Sequence, residues 1–438
     1  MLQILGSSAR LCDGVSRRSF LQIGALGLGG LSLGNLMKAE AASGKRNHKS
    51  VIMVYLSGGL AHQDTFDPKP DAPAEVRGEF KAIPTKLAGV KFSDQVPKLA
   101  AIADKFITIR SVVGQPDEHS SWMSYTGTPM DAAKRDKKPH FGCVVSKLQG
   151  QTDAVMPAFV DLTPTMQHKP YNSAGPAMLG SKAAAVKVDG EEVSVMKTLT
   201  VAADRLSDRK TLLDGMDRIK RSSSSGSETF HDRAFEVLTS SKMVDALDIT
   251  KENAGVRERY GKGSPKHLGD GAPLWNEQLL MARRLVEAGA RVVTLGYGFW
   301  DTHGQNFKHL KQHLPTFDQG ISALIEDLAA RGLDRDCTVI VWGEFGRSPK
   351  INKDAGRDHW ARVNGALLAG GGMKMGQVIG STDSTAGEAK NDPIPYPWVL
   401  ATVYKNLGID PHAMVYDVGG RPNPVLPSSV GVIDRVYG

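Results

Sequence analysis

The residues best suited to chemistry lie between Trp300 and Trp360, in the segments WDTHGQN, WGEFGRSPK and GRDHW. Asp301 and His303 alternate along an extended segment, so they share a face while strand geometry continues, and a turn at Gly304 could swing both toward one ion. Carboxylate oxygen with imidazole nitrogen suits a divalent metal, zinc first. Manganese and iron fit the same donors, calcium fits them less well, and the lack of thiolates argues against a soft-metal site. Glu344 follows Trp342-Gly343, Gly346 leaves room for the backbone, and Arg347 supplies a planar fork suited to phosphate, sulfate or carboxylate; a structural salt bridge is the alternative for Glu344 and Arg347. In Asp358-His359 either residue could ligate, or the aspartate could orient the imidazole.

Two earlier segments add candidates. SGGLAHQDTFDPKP presents Asp64 and Asp67 after an apolar run, with Asp67-Pro68 also reading as an ordinary turn. GQPDEHSSWMSYTGTPM places His119 and Ser120 before Gly127, where neighbouring Ser, His and Thr residues could form an anion- or nucleophile-bearing turn. His309 and His313 are four apart, but the lysines and glutamine around them indicate a solvated helix face.

These residues all follow apolar runs. Val51–Leu56, Phe106–Val113, Ala158–Leu162, Val292–Tyr297, Cys337–Trp342 and Gly365–Gly370 read as strands. The last three are too continuous for half-exposed strands and are expected to be buried and parallel. Leu310, Leu314, Phe317, Ile321, Leu324 and Leu328 recur at spacings of four and three, the stripe of a helix covering a sheet, with Gly332 as its C′ residue. Leu274–Glu287 reads as another helix. Strand, helix, strand is a parallel βαβ unit, and ligands of such sheets collect beyond the carboxyl ends of the strands. The region from Asp131 to about Asp270 is more charged, with helical patterns at Lys197–Ile219 and Phe230–Leu247 separated by the serine run Ser222–Ser225. It reads as a cap or inserted subdomain.

Ser16-Arg17-Arg18-Ser19-Phe20-Leu21, an apolar glycine-rich run from Ile23 to Leu36, and Ala39-Glu40-Ala41 have the layout of a twin-arginine export signal. The apolar run, at about 14 residues, is shorter than the roughly 20 that a spanning helix needs. The expected mature chain starts near Ala42, in the periplasm or outside the cell, and keeps about 397 residues, enough for a sizeable core. It retains Cys143 and Cys337, both in apolar surroundings, so neither a disulfide framework nor a cysteine zinc site is indicated. The formal charge of +7 is partly the leader's, and no dense basic run, zinc-finger spacing or basic–aromatic segment points to nucleic acid. Walker, GxGxxG and GxSxG patterns are missing, which leaves ATP, NAD and α/β-hydrolase chemistry unsupported.

Taken in order, the twin-arginine leader, LSGGLAHQDTFDPKP, WDTHGQNF, VIVWGEFGRSPKIN, GRDHW, ALLAGGGMKMGQVIGSTD and ATVYKNLGID resemble the domain of unknown function 1501 proteins. That family is placed with the alkaline phosphatase and sulfatase superfamily. The resemblance implies a three-layer α/β sandwich, with a mostly parallel sheet and helices on both faces, over residues 42–438 and with the cap at about 131–270. It also implies divalent metals and transfer of phosphoryl or sulfuryl groups. Asp64 would match the first metal aspartate, Asp301 and His303 the later aspartate–histidine pair, Glu344 a ligand usually followed by histidine, and His359 the final metal histidine. Ser120 is the nearest candidate for the nucleophile, with a metal-bound water as the alternative. Phe345 stands where a histidine ligand is usual, and the Cys-x-Pro-x-Arg signature of sulfatases is missing.

The expected function is an exported metal-dependent hydrolase of small or polymeric phosphate or sulfate esters. Arg347 or Arg357 would stabilise the transferred group and His119 would protonate the leaving group. The alternative is a non-catalytic binding or structural protein of the same fold. A redox role has no haem, iron–sulfur, nicotinamide or molybdopterin signature behind it.

Overall fold

A computed structural model describes residues 48–152, 155–172, 174–188 and 241–437. The leader at 1–41, the Lys197–Ile219 helix, the serine run and most of the Phe230–Leu247 helix lie outside the described residues; a helix at Ser241–Leu247 is the described part of the last.

The central sheet has nine strands: β1 (Ser50–Ser57), β2 (Phe106–Val113), β3 (Phe159–Asp161), β4 (Val186–Lys187), β5 (Val292–Phe299), β6 (Cys337–Gly343), β7 (Asn364–Gly370), β8 (Gln377–Ile379) and β9 (Ile394–Pro395). Their order is β8-β2-β7-β6-β1-β5-β3-β4, with β9 also on β2. β1 sits between β5 and β6 and is parallel to both, with Val51 opposite Val292 on one side and Thr338 on the other. Every residue of β1 is buried, which its uninterrupted apolar sequence requires.

The expectation that Gly365–Gly370 is parallel is overturned: β7 is antiparallel to both β6 and β2. A parallel return needs a crossover of a dozen or more residues, usually helical, and residues 344–363 hold no helix. Each remaining pairing is parallel, so β7 alone runs against the sheet.

Alternation along β1 sends Ile52, Val54 and Leu56 into one apolar cluster and Val51, Met53 and Tyr55 into another. Helices α2 (Asn276–Ala288) and α3 (Asn306–Ala330) cover the first face; α1 (Phe141–Gln149) and α4 (Tyr396–Asn406) cover the second. The result is the expected three-layer sandwich, a mixed, mostly parallel sheet between helical layers. Helix α3 buries the whole predicted stripe from Leu310 to Leu328 and ends with Gly332 at φ 66°. Each such side chain contributes about 1.5–3 kcal/mol by leaving water. Within the region expected as a cap, α1, β3 and β4 belong to the central layers. Cys143 and Cys337 are buried and form no disulfide. No helix among the described residues is long and apolar enough to cross a membrane.

Candidate metal centre

The direction of β7 decides where the site forms. The segments after β2 and β5 leave the sheet at its carboxyl edge, and the residues before a reversed β7 arrive at that same edge. His119 comes from the first segment, Asp301 and His303 from the second, and His359 from the third. One ligand atom from each of these four half-buried or exposed residues falls within 4.8 Å of all the others. His303 Nε2 lies 3.0 Å from His359 Nε2 and 3.1 Å from Asp301 Oδ1. His359 Nε2 is 3.5 Å from the same oxygen, and His119 Nε2 is 3.3 Å from Asp301 Oδ2.

Each imidazole has its other nitrogen on a carboxylate. His119 Nδ1 donates to Glu344 Oε1 (2.7 Å), His303 Nδ1 to Asp358 Oδ1 (2.9 Å) and His359 Nδ1 to Asp117 Oδ1 (3.1 Å). With the proton on Nδ1 each Nε2 lone pair points at the cluster, so in that tautomer three acceptors and a carboxylate converge. Such an arrangement calls for a cation. Four donors around zinc at 2.0–2.1 Å would be about 3.3 Å from one another, close to the four spacings above and inside the 4.8 Å that bounds the whole set, so the residue types and their proximity fit a divalent ion.

The cluster also attracts protons, which a bound cation would displace. Burial alone would raise the Asp301 pKa; hydrogen bonds from His119 and His359 and the Arg347 guanidinium outweigh it and hold the carboxyl far below its usual range. Burial would lower His119, but Asp301 and Glu344 together push it up to about 9. Tyr171 is kept protonated by burial and by the Glu344 and Asp301 charges.

Glu344 lies beneath the cluster. Its carboxylate accepts from Tyr55 Oη (2.8 Å), Gly58 N (3.0 Å), Ser120 N (2.7 Å) and Tyr171 Oη (3.3 Å) besides His119. The Gly58 turn makes this possible: its φ is 93°, and a Cβ there would sit 2.5 Å from the Asp301 amide nitrogen. Arg347, fully buried, reaches Asp301 Oδ1 (2.5 Å), Gly59 O (3.0 Å), Arg357 O (3.1 Å) and Gly58 O, which spends its guanidinium on the protein.

Asp64 and Arg357 are brought together outside the four-residue cluster, paired with each other. Arg357 Nε and Nη2 hold the two Asp64 oxygens at 2.7 and 2.8 Å, and Asn306 Nδ2 donates to Oδ2 at 2.8 Å. Ser120 is buried, and its Oγ accepts from the Trp122 amide (3.2 Å). Asp67 pairs with Arg110 and Lys69 (3.2 and 3.1 Å). Asp358 orients His303 rather than its neighbour His359. Sequence reasoning missed Asp117, Tyr55 and Tyr171. An acidic residue two positions before His119 was a signal for Asp117, whereas the tyrosines carried none.

Residues 48–436 match a family described as "Protein of unknown function (DUF1501)". No curated protein matches the chain. Solved structures similar to it include a Bacteroides thetaiotaomicron protein from work on the metabolism of multiple glycosaminoglycans (10% identity, 83% of this chain and 73% of that one, TM-score 0.38). A sulfatase from Pseudoalteromonas sp. matches at 12% identity over 86% of this chain and 70% of its own, with a TM-score of 0.35. A phosphonate monoester hydrolase from Silicibacter pomeroyi gives 12%, 83%, 74% and 0.36 for the same quantities.

Proposed function

We propose, for a chain that belongs to the DUF1501 family, that it is a metal-dependent hydrolase of phosphate or sulfate esters working outside the cytoplasm. The observation that carries the reading is the convergence of three Nε2 lone pairs and the Asp301 carboxylate, each ring held by its own carboxylate. His119, Asp301, His303 and His359 would hold the ion; zinc suits them, and so do manganese and iron. A divalent ion bound there would supply Lewis-acid polarisation of an ester oxygen and activation of water.

The chain's own residues set the rest. Glu344 fixes the His119 tautomer, and Arg347 keeps Asp301 ionised. Water is the better-placed nucleophile, because the Ser120 hydroxyl is buried against the Trp122 amide. Substrate would approach past His303, which is 48% exposed. The extracytoplasmic location rests on the Arg17-Arg18 leader.

One observation favours a second reading, a binding protein that keeps an ion without turnover: the donors of Arg347 and Arg357 are committed to the protein, so neither is free to grip an anion. Assaying the metal-replete mature chain on chromogenic phosphate and sulfate monoesters, beside Asp301→Ala, separates the two. We expect turnover in the parent and neither ion nor turnover in the variant. A bound ion with no turnover on any ester would favour the binding protein.

A further inference from the structure

We infer that the centre takes a single ion, and that Arg357, paired with Asp64 beside it, is the fixed cation that makes a second one superfluous. The inference rests on the metal-centre reading above and concerns what surrounds the four ligands.

Three observations carry it. First, each remaining carboxylate at the centre already accepts from a protein donor. Glu344 accepts five donors. Asp64 accepts two from Arg357 and one from Asn306. Asp117 and Asp358 are turned to imidazole Nδ1 hydrogens. Among the described residues, the four ligands form the one group able to hold a metal. Second, the pair is built into the wall of the centre. The Arg357 amide donates to Thr302 O (2.9 Å), between Asp301 and His303, and Arg357 O accepts from Arg347 (3.1 Å). Asn306 joins Asp64 to the Thr302 hydroxyl (2.6 Å). Recruiting Asp64 as a ligand would strand a guanidinium with no exposed surface. Third, charge limits the ion count. At the centre Asp64 and Glu344 are buried and Asp301 is one-fifth exposed, and Arg357 and Arg347 already pair with Asp64 and Asp301. One divalent ion leaves a small positive excess, and a second would add charge with no buried counter-charge.

The test uses the mature chain loaded with Mn(II), dialysed, and examined by elemental analysis and electron paramagnetic resonance. We expect one ion per chain and the hyperfine pattern of an isolated Mn(II). Two ions per chain with the spectrum of an exchange-coupled pair would overturn the inference and leave the metal-centre reading intact. No bound ion would overturn that reading and the inference with it. A double variant, Asp64→Leu with Arg357→Met, removes both charges together and should still bind one ion. If it melts cooperatively yet has lost the ion, Asp64 is a ligand and the inference fails.

Discussion

Asp358 and Asp117 do not belong to the four-residue cluster, yet they determine how His303 and His359 present their rings. A free imidazole can place its proton on either nitrogen, and a ring held at Nδ1 has one choice and less rotation to lose when an ion binds. Replacing either aspartate with alanine should therefore lower metal affinity about 10–100-fold, measured by competition with a chromogenic chelator, while leaving the melting temperature of the metal-free protein nearly unchanged. Asp301, His303 and His359 were readable because acidic and imidazole groups follow apolar runs at short spacing. His119 was noticed but expected as the leaving-group acid. Its place in the cluster depends on Glu344, a contact across 225 positions that no local pattern encodes. The Asp64–Arg357 pair spans 293 positions and was hidden for the same reason.

The strands and helix α3 were legible as elements, because burial on both sheet faces forces continuous apolar runs and a covering helix forces spacings of three and four. Strand direction was not, since an apolar run reads the same either way. The missing clue was the lack of a helical pattern between Gly343 and Asn364. That stretch is held by close backbone approach, above all at Gly356, where an added Cβ would lie 1.9 Å from the His303 carbonyl oxygen. Gly356 N also donates to Asn352 Oδ1 (2.8 Å), whose Nδ2 reaches His303 O and Asp358 Oδ1 (2.8 and 3.0 Å). Gly356→Ala should cost about 1–3 kcal/mol through overpacking and push the His303 segment outward. Calorimetry should show the lower melting temperature, and titration calorimetry weaker ion binding.

For the molecule as a whole, an ion held by three distant segments would also clamp the folded state. Binding to the native state alone stabilises it by about 2.7 kcal/mol when free ion is a hundredfold above Kd. A chelator should lower the melting temperature of the parent chain and leave that of Asp301→Ala where it was; equal shifts in both would locate the effect elsewhere. The layered architecture was readable from the alternation of strand and helix patterns, whereas the leader and the Lys197–Ile219 helix lie outside the described residues and stay expectations.

The reversal of β7 has one more consequence. Residues 344–363 leave the sheet at Gly343 and re-enter at Asn364 on the adjacent strand, so the two ends of the excursion are roughly a strand spacing apart, about 4.8 Å. That short excursion carries Glu344, Arg347, Arg357, Asp358 and His359. A segment whose ends meet at one edge can be exchanged for another of different length without re-threading a strand. The excursion thereby carries one of the four cluster residues, His359, and the groups that steady the other three, Glu344 on His119, Arg347 on Asp301 and Asp358 on His303, and a chimera that swaps residues 344–363 between family members should keep the sheet and change the ion affinity, read by titration calorimetry.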